Sequence, residues 1–223
     1  MVTISSNTVV KHGMPFIGVA LRRALPYVDQ MIITISKKAD SRTIEEIKEI
    51  AKYNKVEVYW EDIKVIGELT NVENEQIKKS KGDWIWTVED DDIWLEKDLK
   101  ECLACLDEDL DGLGISPYLL LDPEHYDATW GKRYITKFFK REGTIMYKPF
   151  PINRLKRNGI RLNWKFNPKV KIFPLHYLHL PLLKEYSFRK QPPWNTKYQY
   201  TKHKKRELPD KYIKEFKTIL DEL

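Results

Sequence analysis

Four consecutive acidic residues, Glu89, Asp90, Asp91 and Asp92, follow an apolar run at residues 84–88. Carboxylates this close repel one another, and at the end of a buried strand they are costly unless a cation balances them. Carboxylate oxygens suit Mg²⁺ or Mn²⁺, which usually keep positions open for substrate phosphates. Two interpretations stand side by side. The cluster is either a divalent metal site or a solvated acidic loop that caps a helix beginning near Leu95.

The two cysteines, Cys102 and Cys105, lie within a helical pattern. Their C-x-x-C spacing favours two small core-facing residues over a redox pair, and the chain has no second pair that could complete a zinc site. Two cysteines exclude a disulfide framework and favour a reducing compartment. A cytoplasmic location is expected, in a host cell if the protein is viral.

Composition and length indicate one folded domain. The chain has 223 residues, of which 42% are hydrophobic and 32% charged, and this excludes a disordered chain. No apolar run approaches the ~18 to 20 residues of a membrane span. The amino-terminal residues lack the features of a secretory signal. We expect one continuous domain whose halves are residues 1–110 and 111–223.

The first half alternates short apolar strands with amphipathic helices. The apolar runs predict strands at residues 2–5, 31–35, 56–60 and 84–88, and helical periodicity follows each of them. This alternation predicts an α/β fold with a mostly parallel central sheet, and ligands of such sheets bind beyond the carboxyl ends of the strands. The acidic cluster falls at that edge, which favours the metal interpretation. The second half is less regular, with predicted strands at 111–118, 143–147 and 169–173 and a helix at 208–223.

The net charge of +6 favours an acidic partner. Basic residues are frequent in the second half and are interleaved with aromatic ones, a combination that serves a nucleic-acid groove or a sugar-diphosphate site. They are Arg154, Lys156, Arg157, Arg161, Lys165, Lys169, Lys171 and the run 202–206, with Trp164, Phe166, Trp194, Tyr198 and Tyr200 among them.

The stretch from Lys81 to Asp92, KGDWIWTVEDDD, resembles the segment that carries the D-x-D motif in family 2 glycosyltransferases. Residues 4–7 and 31–36 are similar to the first two strands of that family, and residues 40–43 to the turn after the second strand. Residues 71–75 are similar to the helix start before the acidic motif. Together these segments span residues 1–110.

The resemblance implies a GT-A fold, a nucleotide-sugar donor, in particular a UDP-sugar, and Mn²⁺ or Mg²⁺ on the donor diphosphate. Three of the four consecutive acids match the D-x-D motif, and these are either residues 89–91 or residues 90–92. The resemblance therefore implies Asp91 or Asp92 as metal ligand and Glu89 or Asp90 near the ribose. Further donor contacts are implied for Ser5, Asn7, Ser36, Asp40 and Asn74. Ser36 stands near the place where the family often has an acid.

Several members of the family use a late histidine as a metal ligand, followed by a helix that bears lysine. His176 and His179 end a strand-like run here, and residues 184–190 are similar to the segment that follows. Residues three apart do not share a face of a strand, so we expect one histidine at most to join the metal. The alternative is that both are ordinary strand residues.

An inverting transferase needs a general base for the acceptor hydroxyl. The family takes this base from its middle region, where Asp111, Asp122, Glu124 and Asp127 are candidates. Among these acids we favour Asp127, which lies among aromatic residues; the alternative is that Asp127 is an acid of a surface turn. A retaining mechanism would not need this base.

The sequence thus predicts a metal-dependent glycosyltransferase that acts on a hydroxyl acceptor. A hydroxymethylated base in DNA, flipped out of the stack, is one candidate acceptor. The alternatives are a transferase that acts on a cell-surface glycan or lipid carrier, and a non-catalytic nucleic-acid-binding protein that keeps the fold.

Overall fold

A computed structural model of the chain describes residues 2–63, 68–106, 109–122, 124–128, 134–147, 155–163, 165, 167–180 and 205–221. Sequence predictions for Arg154, Trp164, Phe166, residues 184–190, Trp194, Tyr198, Tyr200 and residues 202–204 lie outside these ranges. Among the described residues, no helix is long and apolar enough to cross a membrane.

The first half forms the predicted alternation of strands and helices. The strands are β1 (Ile4–Val10), β2 (Gln30–Ser36), β3 (Val56–Glu61) and β4 (Trp84–Thr87). The helices are α1 (Ile17–Ala24), α2 (Ser41–Ile50) and α3 (Leu69–Lys79). β1 pairs in parallel with both β2 and β4, and β2 pairs in parallel with β3. The predicted α/β class and parallel central strands are therefore confirmed.

The second half extends the same sheet. It contains β6 (Gly112–Asp122), β7 (His125–Asp127), β8 (Ile135–Lys140), β12 (Val170–His179) and β13 (Lys205–Glu207), and the first half adds the short strand β5 (Asp92–Ile93). A separate small sheet is made of β9 (Thr144–Met146), β10 (Leu155–Arg157) and β11 (Ile160–Arg161). The remaining helices are α4 (Glu96–Leu103), in the first half, and α5 (Asp210–Asp221), in the second.

The ten-stranded sheet runs in the order β13-β7-β6-β8-β4-β1-β2-β3, and β12 pairs with β6 and β5. β8 joins the two halves because it pairs antiparallel with both β4 and β6. β5 and the end of β12 pair antiparallel, with Asp92 opposite His179. This pairing brings residues 87 positions apart in the chain to one point of the sheet.

Two apolar clusters hold the layers together near this point. One packs Trp84, Trp86, Trp94, Phe138 and Tyr177 with α1 and α2 side chains. The other seats Tyr212, Phe216 and Ile219 of α5 on Leu178, Leu180 and residues of α1. Burial of apolar side chains on this scale is the main stabilising contribution to such a fold.

Candidate metal centre

The acidic cluster lies at the carboxyl end of β4, as the sequence predicts. β4 ends at Thr87, and the chain then turns so that the Asp92 amide donates to the carbonyl of Glu89 at 3.2 Å. The turn is held against β12 because the Leu180 amide donates to the carbonyl of Asp91 at 3.0 Å. The fold therefore fixes the backbone on both sides of these carboxylates.

Three carboxylates and one imidazole converge at this turn. Glu89, Asp91, Asp92 and His179 each offer one ligand atom, and these atoms all lie within 4.8 Å of one another. Asp91, Asp92 and His179 are buried, whereas Glu89 is partly exposed. The donor set of oxygens and one imidazole nitrogen fits Mn²⁺ or Mg²⁺, and the partly exposed side leaves room for a ligand to approach.

His179 is oriented by two carboxylates. Its Nδ1 lies 2.9 Å from Asp92 Oδ1 and 3.5 Å from Asp91 Oδ1. Burial by itself would lower the pKa of His179, but the charges of Asp91 and Asp92 outweigh burial and raise it. An imidazole held in this way by a carboxylate is a common arrangement at metal sites.

His176 lies elsewhere on the same strand. Its Nδ1 donates to the carbonyl of Ser116 at 3.0 Å, and its ring stacks on Tyr118 at 4.1 Å. Burial lowers its pKa. The structure thus brings one of the two predicted histidines to the cluster, as the spacing implied.

Lys137 of β8 is a member of this site that the sequence analysis missed. Its Nζ donates to Asp92 Oδ2 at 2.5 Å and to Glu89 Oε1 at 2.7 Å. Its side chain is 1% exposed and lies over the ring of Tyr177. Burial disfavours the ammonium form, but the charges of Asp92 and Glu89 outweigh this and raise the pKa of Lys137 well above its usual value.

Glu73 of α3 is a second carboxyl group that the sequence analysis did not single out. Burial, followed by the charge of Glu89, raises its pKa to about 7, although Lys137 acts in the opposite direction. Neither residue has a local sequence signal. Their proximity to the cluster follows from the packing of α3 against β1 and from the pairing of β8 with β4.

The predicted donor-binding residues are spread over the first half of the sheet. Ser36 ends β2, and its Oγ accepts from the Lys38 amide at 3.3 Å. Asp40 caps α2 by accepting from the Thr43 amide and hydroxyl at 2.9 and 2.8 Å, and it lies 3.2 Å from His12. Burial raises the pKa of Asp40, but these hydrogen bonds outweigh it and lower the pKa. Both residues lie at the carboxyl edge of the sheet.

Ser5, Asn7 and Asn74 are engaged within the fold. Ser5 lies near the amino end of β1, where its Oγ donates to Gln30 and accepts from the Gly82 amide, each at 2.8 Å. Asn7 Oδ1 accepts from the Ser80 hydroxyl at 3.1 Å. Asn74 forms two hydrogen bonds with the backbone of Met146. The hydrogen bonds of these three side chains given above are all made with residues outside the acidic cluster.

Asp90 and Asp127 complete the predicted set. Asp90 is partly exposed within the turn. Asp127 is buried on β7, and in the strand register it lies opposite Lys205 of β13. In the sheet register, Tyr126 of β7 lies opposite Leu120 of β6. The preceding residue of β6, Leu119, lies opposite His179 of β12. Asp127 therefore lies at about the level of the cluster, two strands from His179.

No protein-family model matches the chain, and no curated protein is significantly similar to it. The structure is similar to many solved structures, including the following three. S. aureus TarS 1–349 in complex with UDP-GlcNAc has a TM-score of 0.46 and 16% identity, over 53% of this chain and 35% of that one. The mannosyltransferase PcManGT from Pyrobaculum calidifontis, in complex with GDP-Man and Mn²⁺, has a TM-score of 0.43 and 11% identity, over 55% and 36%.

The third is glucosyl-3-phosphoglycerate synthase from Mycobacterium tuberculosis, in complex with Mn²⁺, UDP and phosphoglyceric acid. It has a TM-score of 0.41 and 15% identity, over 53% of this chain and 43% of that one. The chain thus spans less than half of each of the three structures. Any assignment of activity has to come from its own residues.

Proposed function

We propose that the chain is a glycosyltransferase that uses a divalent cation to bind a nucleotide sugar and transfers the sugar to a hydroxyl group. The observation that carries the proposal is the convergence of Glu89, Asp91, Asp92 and His179 at the carboxyl edge of a parallel sheet. This edge is where sheets of this class bind their ligands. The resemblance of residues 81–92 to the D-x-D segment supports the same assignment.

The ligands of the cation would come from Asp91, Asp92 and His179, with Mn²⁺ or Mg²⁺ as the ion. When bound, such an ion stabilises the negative charge that develops on a departing diphosphate. The partly exposed acids, Glu89 or Asp90, would then face the ribose. Ser36 and Asp40, at the same edge of the sheet, would lie towards the nucleoside.

Asp127 is our candidate for the general base of an inverting reaction. Such a base takes the proton of the acceptor hydroxyl as the hydroxyl attacks the sugar. We expect Asp127→Asn to reduce transfer at least about 100-fold, which is the usual contribution of a positioned base. Donor affinity should stay unchanged, as measured by calorimetry. A variant that transfers sugar at the wild-type rate would exclude Asp127 as the base.

The donor is best sought by thermal shift. The panel contains UDP-GlcNAc, UDP-glucose and GDP-mannose, each with Mn²⁺ and with EDTA. A ligand that binds only the folded state raises the melting temperature, by an amount equivalent to about 2.7 kcal/mol at 100 times its dissociation constant. We expect at least one donor to stabilise the protein with Mn²⁺ and not with EDTA.

The test variant is the double substitution Asp91→Asn/Asp92→Asn. The control is Glu49→Gln, on the exposed face of α2. The double variant should lose the donor-dependent shift and the transfer activity while its circular dichroism remains that of a folded protein. Glu49→Gln should behave as the wild type. Wild-type turnover in the double variant, or no shift with any donor, would contradict the proposal.

The acceptor is a separate question. The charge of +6 favours nucleic acid, including a hydroxymethylated base in DNA, over a neutral glycan. A transferase that acts on a cell-surface glycan or lipid carrier would show no affinity for DNA even at low salt. A non-catalytic nucleic-acid-binding protein would bind DNA in EDTA and would gain no stability from a nucleotide sugar.

A further inference from the structure

Asp92 uses both of its carboxylate oxygens within the protein. Oδ1 lies 2.9 Å from His179 Nδ1, and Oδ2 accepts from Lys137 Nζ at 2.5 Å. The side chain is fully buried. A divalent cation that binds Asp92 directly must therefore share an oxygen with one of these two partners or displace it.

Lys137 also engages Glu89, since its Nζ donates to Glu89 Oε1 at 2.7 Å. Two of the three carboxylates of the cluster thus bind the same ammonium group. The Lys137 side chain is 1% exposed, and its Nζ lies 5.0 Å from the centroid of the Tyr177 ring. A lysine buried to this extent is rare unless it is paired with acids.

We propose that Lys137 is a built-in counter-ion of the acidic cluster, which keeps Glu89 and Asp92 in place without a metal and competes with a divalent cation for their oxygens. The inference rests on the proposed metal centre. It assigns Lys137 as a positioning residue.

The proposal predicts the direction in which the loss of Lys137 changes the affinity for Mn²⁺. A positive charge a few ångströms from a cation opposes its binding, and at the effective dielectric of such sites the effect on affinity is at least about tenfold. Removing Lys137 should therefore tighten Mn²⁺ binding. A side chain that only supported the packing of the site would, on removal, weaken binding.

The test is a titration of the full chain with Mn²⁺, with free Mn²⁺ followed by electron paramagnetic resonance. Lys137→Met keeps much of the buried aliphatic volume and removes the charge. We expect at least about tenfold tighter Mn²⁺ binding than in the wild type. The double variant Lys137→Met/Glu89→Gln removes one charge of each sign and should fall between the wild type and the single variant.

Lys140→Met is the matched control. Lys140 lies on the same strand opposite Trp84, at the end of β4 remote from the cluster. Its loss should change the Mn²⁺ affinity by less than about threefold, because the effect of a charge falls with distance. An equal gain in Lys137→Met and Lys140→Met would overturn the inference, because it would show a general effect of net charge.

Lys137→Met removes one hydrogen bond of Asp92, which keeps its contact with His179, and could impair folding without metal. Thermal melts of Lys137→Met and of Lys137→Gln therefore accompany the titration. Mn²⁺ should raise the melting temperature of both variants by more than it raises that of the wild type. An equal or smaller rise in both variants would overturn the inference.

The outcomes separate the two proposals. If the wild type binds Mn²⁺ and the Lys137 variants bind it no more tightly, the role of Lys137 is wrong and the metal centre stands. If the variants bind Mn²⁺ and the wild type does not, the competition is supported in its strongest form. If no form of the chain binds Mn²⁺, both proposals fail.

Discussion

Glu73 shows how a single carboxyl group near the cluster couples stability to pH. Its pKa of about 7 in the folded chain lies above the ordinary value of 4.5. Between these two values the folded state binds more protons than the unfolded state, so stability falls as the pH rises through this range. Above the folded pKa, the ionised group opposes folding because it is desolvated and repelled by Glu89.

We therefore predict that Glu73→Gln stabilises the protein at pH 8 and leaves its stability nearly unchanged at pH 4. The gain at pH 8 should be up to about 2 kcal/mol, less than the full pKa difference implies, because the side chain is partly solvated. Urea unfolding in EDTA at the two pH values measures it. Glu75→Gln, on the same helix, is the control and should show no such gain. A gain of equal size at both pH values would contradict the assignment.

At this scale, the sequence allowed some site residues to be predicted and not others. Glu89 to Asp92 are adjacent in the chain and follow an apolar strand, so their convergence is a local property. Lys137 and Glu73 reach the cluster only because β8 pairs antiparallel with β4 and α3 packs beside β1. Neither contact has a local signature, and a lone lysine between Thr136 and Phe138 looks like a solvent-exposed strand residue.

At the scale of elements, α5 is attached to the sheet by a buried polar contact as well as by its apolar face. Asp98 of α4 accepts from the Tyr212 hydroxyl at 2.7 Å and from Lys211 Nζ at 3.1 Å. Asp98 and Tyr212 are both buried. This contact fixes the carboxyl-terminal helix against α4, next to the strand that carries His179.

We predict that Tyr212→Phe lowers the free energy of unfolding by about 1–3 kcal/mol, because a buried carboxylate loses a donor. Chemical denaturation measures the loss. Tyr53→Phe, at an exposed position, is the control and should have little effect. The same small change in both variants would mean that the hydroxyl of Tyr212 does not contribute to the attachment of α5.

The periodic elements were predictable, whereas the short antiparallel strands, apart from β9, were not. Helical and strand periodicity indicated α1 to α3 and β2 to β4 close to their observed positions, because each pattern is local, whereas the strand predicted at residues 2–5 is β1 at Ile4–Val10. β5, β7, β8 and β13 are defined by pairing with distant strands, and β12 changes register between Phe173 and His176. The spacing of the two histidines still indicated that they face different surroundings, since alternation along a strand is also local.

At the scale of the whole molecule, some of the basic residues of the second half also contact other side chains of the fold. In the described part of that half, Arg157 is paired with Asp111, and Lys156 lies over the ring of Tyr147. Lys156 and Arg157 both belong to the small sheet of β9 to β11, where Ile145 and Ile160 are exposed. This sheet is therefore where the nucleic-acid hypothesis is most directly tested.

If the acceptor is nucleic acid, DNA binding should depend steeply on salt and on this sheet. Each phosphate neutralised by a lysine or arginine contributes a slope of about −0.9 to the dependence of log affinity on log salt for duplex DNA. We predict that Lys156→Gln/Arg161→Gln reduces that slope by about 2 if both residues contact phosphate. The measurement is fluorescence anisotropy between low and physiological salt, with and without EDTA.

The control pair is Lys52→Gln/Lys78→Gln, because both of these lysines are exposed and already paired with a glutamate three residues earlier in the chain. It removes the same net charge, so a slope that changes equally in the two double variants would reflect overall charge and not a site. Absence of DNA binding at low salt, together with a donor-dependent thermal shift, would separate donor use from nucleic-acid recognition. The acceptor would then be sought among glycans and lipid carriers, because a transferase for those substrates has no need to neutralise a phosphate backbone.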